Sequence, residues 1–299
     1  MIGTSKKDNK KSPSFRIAHC GNFPNYQLNG VFFNERNIIY LVSVGKEKFE
    51  NKWVERFVNF VKAVKPKKTL IVVADTLQRY NIEVDDNIEP KQAFTESVKR
   101  GEEWTSKYKP LFSNLNISYE FVRWETLKED KDFEYYLHET KKLDKENVAF
   151  EKALSISSKE YTNRFSRVNL GTDSQKAEAN SRQFLIEECA VFKVLAKDKN
   201  NLAIVYPGAV TDILAYAIRH INENHRAKDH TFHWLNLRPT KSNKKKKNIE
   251  SKSNESIKPL FFRSISLNET QLPSHQVHQD LEKKATFFRR YSLGLYFSQ

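Results

Sequence analysis

Three polar residues next to apolar segments, Ser43, Glu188 and Tyr206, could perform chemistry in this 299-residue chain. Ser43 follows the strand-like run IIYLV, and ligands gather beyond the carboxyl ends of strands in an open parallel sheet. It could be a nucleophile, or a serine of the kind common in turns and at helix N-caps. No G-x-S-x-G motif surrounds it, and no histidine lies in a motif typical of a triad base. A nucleophile without these partners needs an activated substrate, such as an ester.

Glu188 and Tyr206 lie where they could assist such a serine. Glu188 follows Phe184 by one helical turn, close to the apolar face of the segment FLIEECAVF. Burial beside this face would raise its pKa toward the range of proton transfer, whereas a boundary position paired with a lysine is the plainer alternative. We expect Glu187 to point to solvent. Tyr206 ends the run NLAIVY and either reaches the end of the sheet where Ser43 lies or caps the core with its hydroxyl in water.

Strands and helices alternate along the segments that must position these residues. Apolar runs predict strands at FRIA, IIYLVSV, TLIVVAD, SYEFVRW and NLAIVYP, and helical spacing predicts helices between or after them. Pro90 opens a long helix, and a polar loop precedes the helix of Glu188, which is predicted to begin at Asn180. The alternation predicts an α/β, Rossmann-like domain over residues 15–240, with a mostly parallel sheet flanked by helices.

Composition adds a basic character and defines the segments outside this domain. The net charge of +14 favours a polyanionic partner such as nucleic acid. Residues 1–14 are predicted to be a disordered basic arm, 241–258 a Lys/Ser/Asn-rich linker or loop, and 259–299 an aromatic-rich extension that packs on the domain. Two cysteines, no signal peptide and no apolar run long enough to span a membrane favour the cytoplasm.

The order and spacing of these motifs resemble the tRNA-dependent cyclodipeptide synthases over about residues 30–225. In this family a strand carries a nucleophilic serine, and an aromatic residue follows the serine by six positions. An Asp-Thr pair and an Asn-Arg pair come next along the chain. A helix then carries an aromatic residue one turn before a catalytic glutamate, and the last strand ends in tyrosine. The matching residues here are Ser43, Phe49, Asp75, Thr76, Asn163, Arg164, Phe184, Glu188 and Tyr206. One family branch has asparagine three residues after the serine and histidine after the tyrosine. Lys46 and Pro207 instead match the XYP-type branch, in which proline follows the tyrosine.

The resemblance implies a fold similar to the class I tyrosyl- and tryptophanyl-tRNA synthetases, without their ATP motifs. Two aminoacyl-tRNAs would be joined into a cyclic dipeptide, with Ser43 forming an aminoacyl-enzyme and then a dipeptidyl-enzyme. Glu188 would hold the substrate ammonium and take part in proton transfer, and Tyr206 would form a hydrogen bond near the reacting centre. We expect no metal, no cofactor, no stable protein partner and a monomer.

The resemblance also assigns binding residues. An apolar pocket for the first amino acid would be lined by Ile39, Leu41, Val72, Ala74, Trp124, Val191 and Ile204. Further substrate contacts would come from Phe133, Asn163 and Phe184, and tRNA contacts from Lys91, Lys99, Arg100, Lys107, Lys109 and Arg164. The chain departs from the family at three positions. Phe184 replaces a tyrosine whose hydroxyl helps to hold the amine, Phe133 replaces a tyrosine of the first branch, and Leu41 replaces a frequent glycine.

Three other functions remain compatible with the residues. The segment HCGN (His19–Asn22) resembles the HIGH-type motif of class I synthetases, which would make the chain an ATP-dependent synthetase-like protein. The net charge alone would suit a non-catalytic RNA-binding module. A metal site is a third alternative, although its spacing fits no standard zinc pattern; it would use His220, His225, His230 and His233.

Overall fold

A computed structural model describes residues 15–19, 33–166, 174–225, 231–239 and 294–296, all within one compact unit. The strands are β1 (Phe15–His19), β2 (Asn37–Val42), β3 (Lys68–Val73), β4 (Ser118–Arg123), β5 (Asn201–Tyr206), β6 (His233–Pro239) and β7 (Gly294–Tyr296). The helices are α1 (Lys52–Val64), α2 (Arg79–Asp85), α3 (Pro90–Ser113), α4 (Trp124–Lys128), α5 (Phe133–Glu146), α6 (Val148–Ser166), α7 (Ser174–Lys197) and α8 (Asp212–Asn224).

The strands form one sheet in the order β4-β3-β2-β5-β6-β1-β7. The five strands from β4 to β6 are parallel to their neighbours, whereas β1 pairs antiparallel with β6, and β7 with β1. The predicted Rossmann-like fold with a mostly parallel sheet is therefore confirmed. The chain passes from β2 outward to β3 and β4 and then returns to the other side of β2 with β5. Strand order thus reverses between β2 and β5, which is where such sheets open a crevice for a ligand.

Both faces of the sheet are covered, which explains why its central strands are continuous apolar runs. Every residue of β2 is buried. Alternate residues such as Ile39 and Leu41 join a core on one face, with side chains of α4 to α8. Tyr40 and Val42 join a second core on the opposite face, with side chains of α1 and α3. Alternate residues of one strand therefore contact the same set of helices.

Two features differ from the sequence-based expectation. Helix α7 begins at Ser174, so the final residues of the predicted polar loop extend the helix instead. Strand β6 was not predicted, because the polar run before it obscured the short apolar segment that begins at His233. Three predicted segments fall outside the described residues: 1–14, 241–258 and 259–299, apart from β7 in the last of them. None of the helices in the described part of the chain is long and apolar enough to cross a membrane.

Candidate active site

Ser43 and Tyr206 meet at the reversal of strand order. Ser43 directly follows β2, and Tyr206 is the last residue of the adjacent β5. Their side-chain oxygens are 3.4 Å apart, and either hydroxyl can be the donor. Ser43 is buried and Tyr206 is half-buried. By strand parity Ser43 shares its face with Leu41, and Tyr206 with Ile204, which is the face covered by α7. The ring of Tyr206 also packs against the core on the opposite face. The sequence-based prediction that these two residues share one end of the sheet is confirmed.

The loop that follows Ser43 is held in place by a contact with α3. Gly45 adopts φ +78°, a left-handed conformation that glycine tolerates. A single 3-10 turn, Glu47–Phe49, follows, and α1 begins only at Lys52, so Ser43 does not lie at the N-terminus of that helix. The buried indole of Trp104 on α3 donates a 2.7 Å hydrogen bond to the carbonyl of Phe49. This bond holds the loop over the carboxyl end of β2.

The ring of Tyr206 is held between two aromatic side chains. Its centroid is 5.1 Å from that of Phe49 and 5.1 Å from that of Trp234 on β6. Gly208 passes so close that a Cβ there would lie 2.9 Å from Cε1 of Tyr206. The indole of Trp234 donates to the Gly208 carbonyl at 3.2 Å, so the same tryptophan fixes the turn and the tyrosine. These contacts direct the Tyr206 hydroxyl toward Ser43.

Glu188 is a buried carboxylate on α7. The side chain is 7% exposed, and no described residue forms a hydrogen bond or an ion pair with it. Burial alone raises its pKa to about 8, because the charged form loses its hydration without gaining a counter-ion. The expectation of a desolvated carboxylate is therefore met, and the alternative of a boundary residue paired with a lysine is wrong. Such a carboxyl can bind a cationic group or exchange a proton near neutral pH.

The expectation that Glu187 points to solvent is wrong. The residue is 5% exposed and forms an ion pair of 2.6 Å with Arg79 on α2. It also accepts hydrogen bonds from the Tyr80 hydroxyl at 3.1 Å and from the Trp124 indole at 2.8 Å. Burial raises the pKa of Glu187, but the bonds to Arg79 outweigh it and leave the pKa below its usual value. No sequence signal identified this role, because the partners are distant in the chain.

The residues assigned to the first aminoacyl pocket lie together in one apolar cluster. They come from three adjacent strands, from α4 and from α7, and each is at most 1% exposed. The cluster also contains the predicted substrate contact Phe133. All seven predicted lining residues belong to it: Ile39, Leu41, Val72, Ala74, Trp124, Val191 and Ile204. The cluster lies on the face of the sheet that α7 covers.

The two other predicted substrate contacts, Phe184 and Asn163, are more exposed than the residues of the cluster. Phe184 is half-buried at the edge of the cluster, one turn before Glu188. Its ring stacks on Tyr161 of α6, with centroids 6.5 Å apart and planes inclined by 22°. The Tyr161 hydroxyl donates to Asn81, so a phenol lies beside the phenylalanine although its hydroxyl is engaged elsewhere. Asn163 is exposed near the end of α6.

The Asp75-Thr76 pair that follows β3 fixes the start of α4. Buried Asp75 forms an ion pair with Arg123 and accepts the backbone N–H of Trp124 at 3.3 Å. Helix α3 crosses it closely, since a Cβ on Gly101 would lie 2.5 Å from the Asp75 Cβ. Thr76 donates to Glu125 at 2.6 Å. These bonds position the backbone that carries Trp124.

The predicted tRNA-binding residues of α3 share one helix, but two of them are already paired. Arg100 contacts Glu96 at 2.8 Å and Asp86 at 2.9 Å, and Lys107 contacts Glu50 at 2.6 Å. Lys91, Lys99 and Lys109 are exposed, and the side chain of Arg164 lies outside the described residues. A cleft of about 520 Å³ opens along this helix, lined by Asp86, Ile88, Lys91, Gln92, Thr95, Glu96 and Arg100. The surface combines both charges and is less basic than a continuous lysine and arginine stripe.

The histidines of the alternative metal site are dispersed. The rings of His220 and His225 have centroids 5.9 Å apart at the end of α8, and His233 is buried on β6. His230 lies outside the described residues. Within the described ranges, no group of three or more His, Cys, Asp or Glu residues is arranged to hold a metal ion.

Comparisons with known proteins identify the fold. No family model and no curated protein sequence matches the chain. A cyclodipeptide synthase from Fluoribacter dumoffii matches with a TM-score of 0.67 and 21% identity, over 76% of this chain and 98% of that one. The synthase from Candidatus Glomeribacter gigasporarum, bound to Phe-tRNAPhe, matches with a TM-score of 0.56 and 16% identity, over 77% and 93%.

A third solved structure extends the likeness to synthetases. This Mycobacterium tuberculosis protein matches with a TM-score of 0.53 and 11% identity, over 77% of this chain and 98% of that one. Its structure is described as demonstrating that cyclodipeptide synthetases are related to type I tRNA synthetases. The chain thus shares the fold of these synthases over nearly their full length.

Proposed function

We propose that this chain is a tRNA-dependent cyclodipeptide synthase. The observation that carries the proposal is the Ser43–Tyr206 hydroxyl pair, 3.4 Å apart where strand order reverses. The helix that carries Glu188 covers a face of the same sheet, and this carboxylate has no hydrogen-bond or ion-pair partner among the described residues. The fold shared with cyclodipeptide synthases supports it. We infer the XYP-type branch from Lys46 and from Pro207 after Tyr206.

The first step loads an amino acid onto Ser43. Its Oγ bonds to the carbonyl carbon of an aminoacyl-tRNA ester, the bond to the tRNA 3′ oxygen breaks, and the hydroxyl proton ends on that oxygen. The ester is already activated, so the step requires no triad histidine. The Tyr206 hydroxyl forms a hydrogen bond beside the reacting oxygen, and the apolar cluster takes the amino acid side chain.

The second step forms the peptide bond and the third closes the ring. The amine of the aminoacyl-Ser43 attacks the ester of a second aminoacyl-tRNA and releases that tRNA. The new terminal amine then attacks the Ser43 ester, which returns the proton to Oγ and releases a cyclic dipeptide. Each amine must be neutral to attack. Glu188 binds the ammonium while ionised and accepts its proton; burial raises the pKa of this carboxyl to about 8 when no cation is bound, which makes it a stronger proton acceptor than an exposed carboxylate.

The proposal specifies partners and location. Two aminoacyl-tRNAs are substrates, and we propose that the enzyme acts as a monomer. Exposed Lys91, Lys99 and Lys109 on α3, with Arg164, contact phosphates, so binding weakens steeply with salt. Charged tRNA places the enzyme in the cytoplasm.

The test measures product and covalent intermediate together. Purified protein is incubated with a charged tRNA pool without ATP, and mass spectrometry follows cyclic dipeptides and aminoacylated protein. Ser43→Ala is expected to abolish both signals. Ser118→Ala is the matched control, because Ser118 is exposed at the opposite, amino end of parallel β4, and it should behave as wild type. Folded wild type that forms no cyclic dipeptide, or Ser43→Ala that still forms it, would refute the proposal.

A further inference from the structure

Glu187 connects three helices through one buried carboxylate. Its Oε2 accepts from Nη2 of Arg79 at 2.6 Å and from Tyr80 at 3.1 Å, while Oε1 accepts from the Trp124 indole at 2.8 Å. Lys128 approaches Oε1 to 3.8 Å. Helices α2 and α4 are thereby joined to α7, beside the neighbouring Glu188.

Trp124 depends on this carboxylate for its orientation. The side chain is fully buried in the apolar cluster, and an indole has only its single N–H to donate. That hydrogen bonds to Glu187, while the backbone N–H of the same residue bonds to Asp75. The backbone and the far end of the ring are therefore fixed independently.

Arg79 prevents the carboxylate from turning away. Its guanidinium holds both Glu187 oxygens, at 2.6 Å and 3.3 Å, and its Nη1 also donates to the Thr76 carbonyl at 2.8 Å. The planar fork of arginine restricts a carboxylate in orientation as well as in distance. The chain of contacts runs from the end of β3 through Arg79 and Glu187 to the indole ring.

We propose that Glu187 is a positioning residue that sets the orientation of Trp124 and thereby the choice of the amino acid loaded on Ser43. The inference rests on the proposed function, in which Trp124 is a wall of the first aminoacyl pocket. A tryptophan is the largest side chain of that wall, so a small rotation changes the pocket by more than a methylene group. A methylene difference discriminates substrates by about 10- to 200-fold.

The test uses Glu187→Gln, Trp124→Phe and the double variant. Gln keeps the shape but removes the charge that strengthens the hydrogen bonds, and Phe removes the indole donor. The first measurement is the 15N–1H indole spectrum, in which Trp124→Phe identifies the Trp124 resonance. In Glu187→Gln this resonance is expected to move upfield. The reading requires no catalysis, so it is independent of the proposed function.

The second measurement is the ratio of cyclic dipeptides formed from a mixed aminoacyl-tRNA pool. Glu187→Gln should change this ratio by about tenfold or more, as expected for a pocket change of at least one methylene group. The double variant should not exceed Trp124→Phe, because both changes act through one ring. Glu139→Gln is the matched control. It weakens another ion pair to α7, with Lys193 at 3.0 Å, and should leave the ratio unchanged.

Each outcome either supports the proposal or overturns a named part of it. An indole resonance that stays in place in Glu187→Gln overturns the contact. A resonance that moves while the product ratio stays constant overturns the specificity role and leaves a purely structural tie. Additive effects in the double variant overturn the route through Trp124. Absence of any cyclic dipeptide from wild type refutes the proposed function and the specificity role together, whereas the indole spectrum still decides the contact.

Discussion

The surroundings of two consecutive carboxylates on α7 differ completely. Glu187 is 5% exposed and Glu188 is 7% exposed, so burial does not distinguish them. Glu187 meets Arg79, Tyr80 and the Trp124 indole, and its pKa is lowered because these bonds outweigh burial. Glu188 meets no polar partner among the described residues, and burial raises its pKa to about 8.

This difference indicates a division of work. A carboxylate whose bonds are all satisfied by the protein is held in place and has little capacity left for a ligand. A buried carboxylate without partners is unfavourable for folding unless it becomes protonated or acquires a cation. Such unpaired, perturbed groups concentrate at functional sites. We therefore interpret Glu187 as part of the framework and Glu188 as the group that meets substrate.

The largest expected effect is the loss of the Glu187 contacts. Glu187→Ala leaves the half-buried Arg79 charge and the buried Trp124 donor without this acceptor, so it should lower the free energy of unfolding by about 3 kcal/mol, the low end of the range for breaking a buried pair. Urea unfolding at pH 7 measures this. Glu188→Gln is the matched variant one residue further and should be at least as stable as wild type. Equal losses in the two variants would contradict the comparison.

The second effect is a pH dependence of opposite sign for the two carboxylates. The pKa of Glu188 rises from 4.5 in an unfolded chain to about 8 in the folded one. Between these values the folded protein keeps a proton that the unfolded chain releases, so this group makes wild type less stable as pH rises. Relative to wild type, Glu188→Gln should gain about 1.4 kcal/mol per pH unit from about pH 4.5 to 8 and then remain constant.

The matched measurement uses Glu187→Gln in the same pH series. The pKa of Glu187 is lowered on folding, so its contribution to stability is present above its unfolded pKa and is lost as pH falls through the folded value. The stability difference between Glu187→Gln and wild type should thus be constant from pH 6 to 8 and shrink only in acid. A Glu188→Gln difference that is flat from pH 5 to 8 would show that Glu188 has a counter-ion.

Much of the fold could be predicted from the sequence, because local signals and tertiary structure agree there. The runs at β2, β3 and β5 are continuous because both faces of the sheet are covered, and Pro90 occupies the first position of α3 as expected. Ser43 and Tyr206 could be placed together because the carboxyl ends of parallel strands share one edge. Strand β6 could not be predicted, because the polar run before it obscures the short apolar segment that begins at His233.

Glu187 shows where sequence patterns stop being informative. Helical periodicity predicts a polar face only for a helix at the surface, whereas every residue of α7 from Leu185 to Ala196 is buried. Its partner Arg79 is 108 residues away in the chain, and no local spacing identifies such a pair. The same helical periodicity correctly predicted that Glu188 is buried. That prediction succeeded because the neighbours of Glu188 are apolar, which is what an apolar helix face implies.

The smallest expected effect comes from making the surroundings of Glu188 more like those of Glu187. Phe184 lies one turn earlier on α7, so Phe184→Tyr adds a hydroxyl that can donate to Glu188. One such bond contributes about 0.5–1.5 kcal/mol and should lower the pKa of Glu188 by about one unit or less. The pH series would then level off below pH 8, and cyclic dipeptide formation should rise several-fold because the ammonium gains a second partner.

Tyr161→Phe separates this effect from a change in ring packing. Its ring stacks on Phe184, but its hydroxyl donates to Asn81, so its removal alters the neighbourhood without adding a donor near Glu188. The pH at which stability levels off should stay at the wild-type value in this control. If Phe184→Tyr also leaves that pH unchanged, the new hydroxyl does not reach Glu188, and the absence of a tyrosine at this position has no electrostatic consequence for the carboxylate.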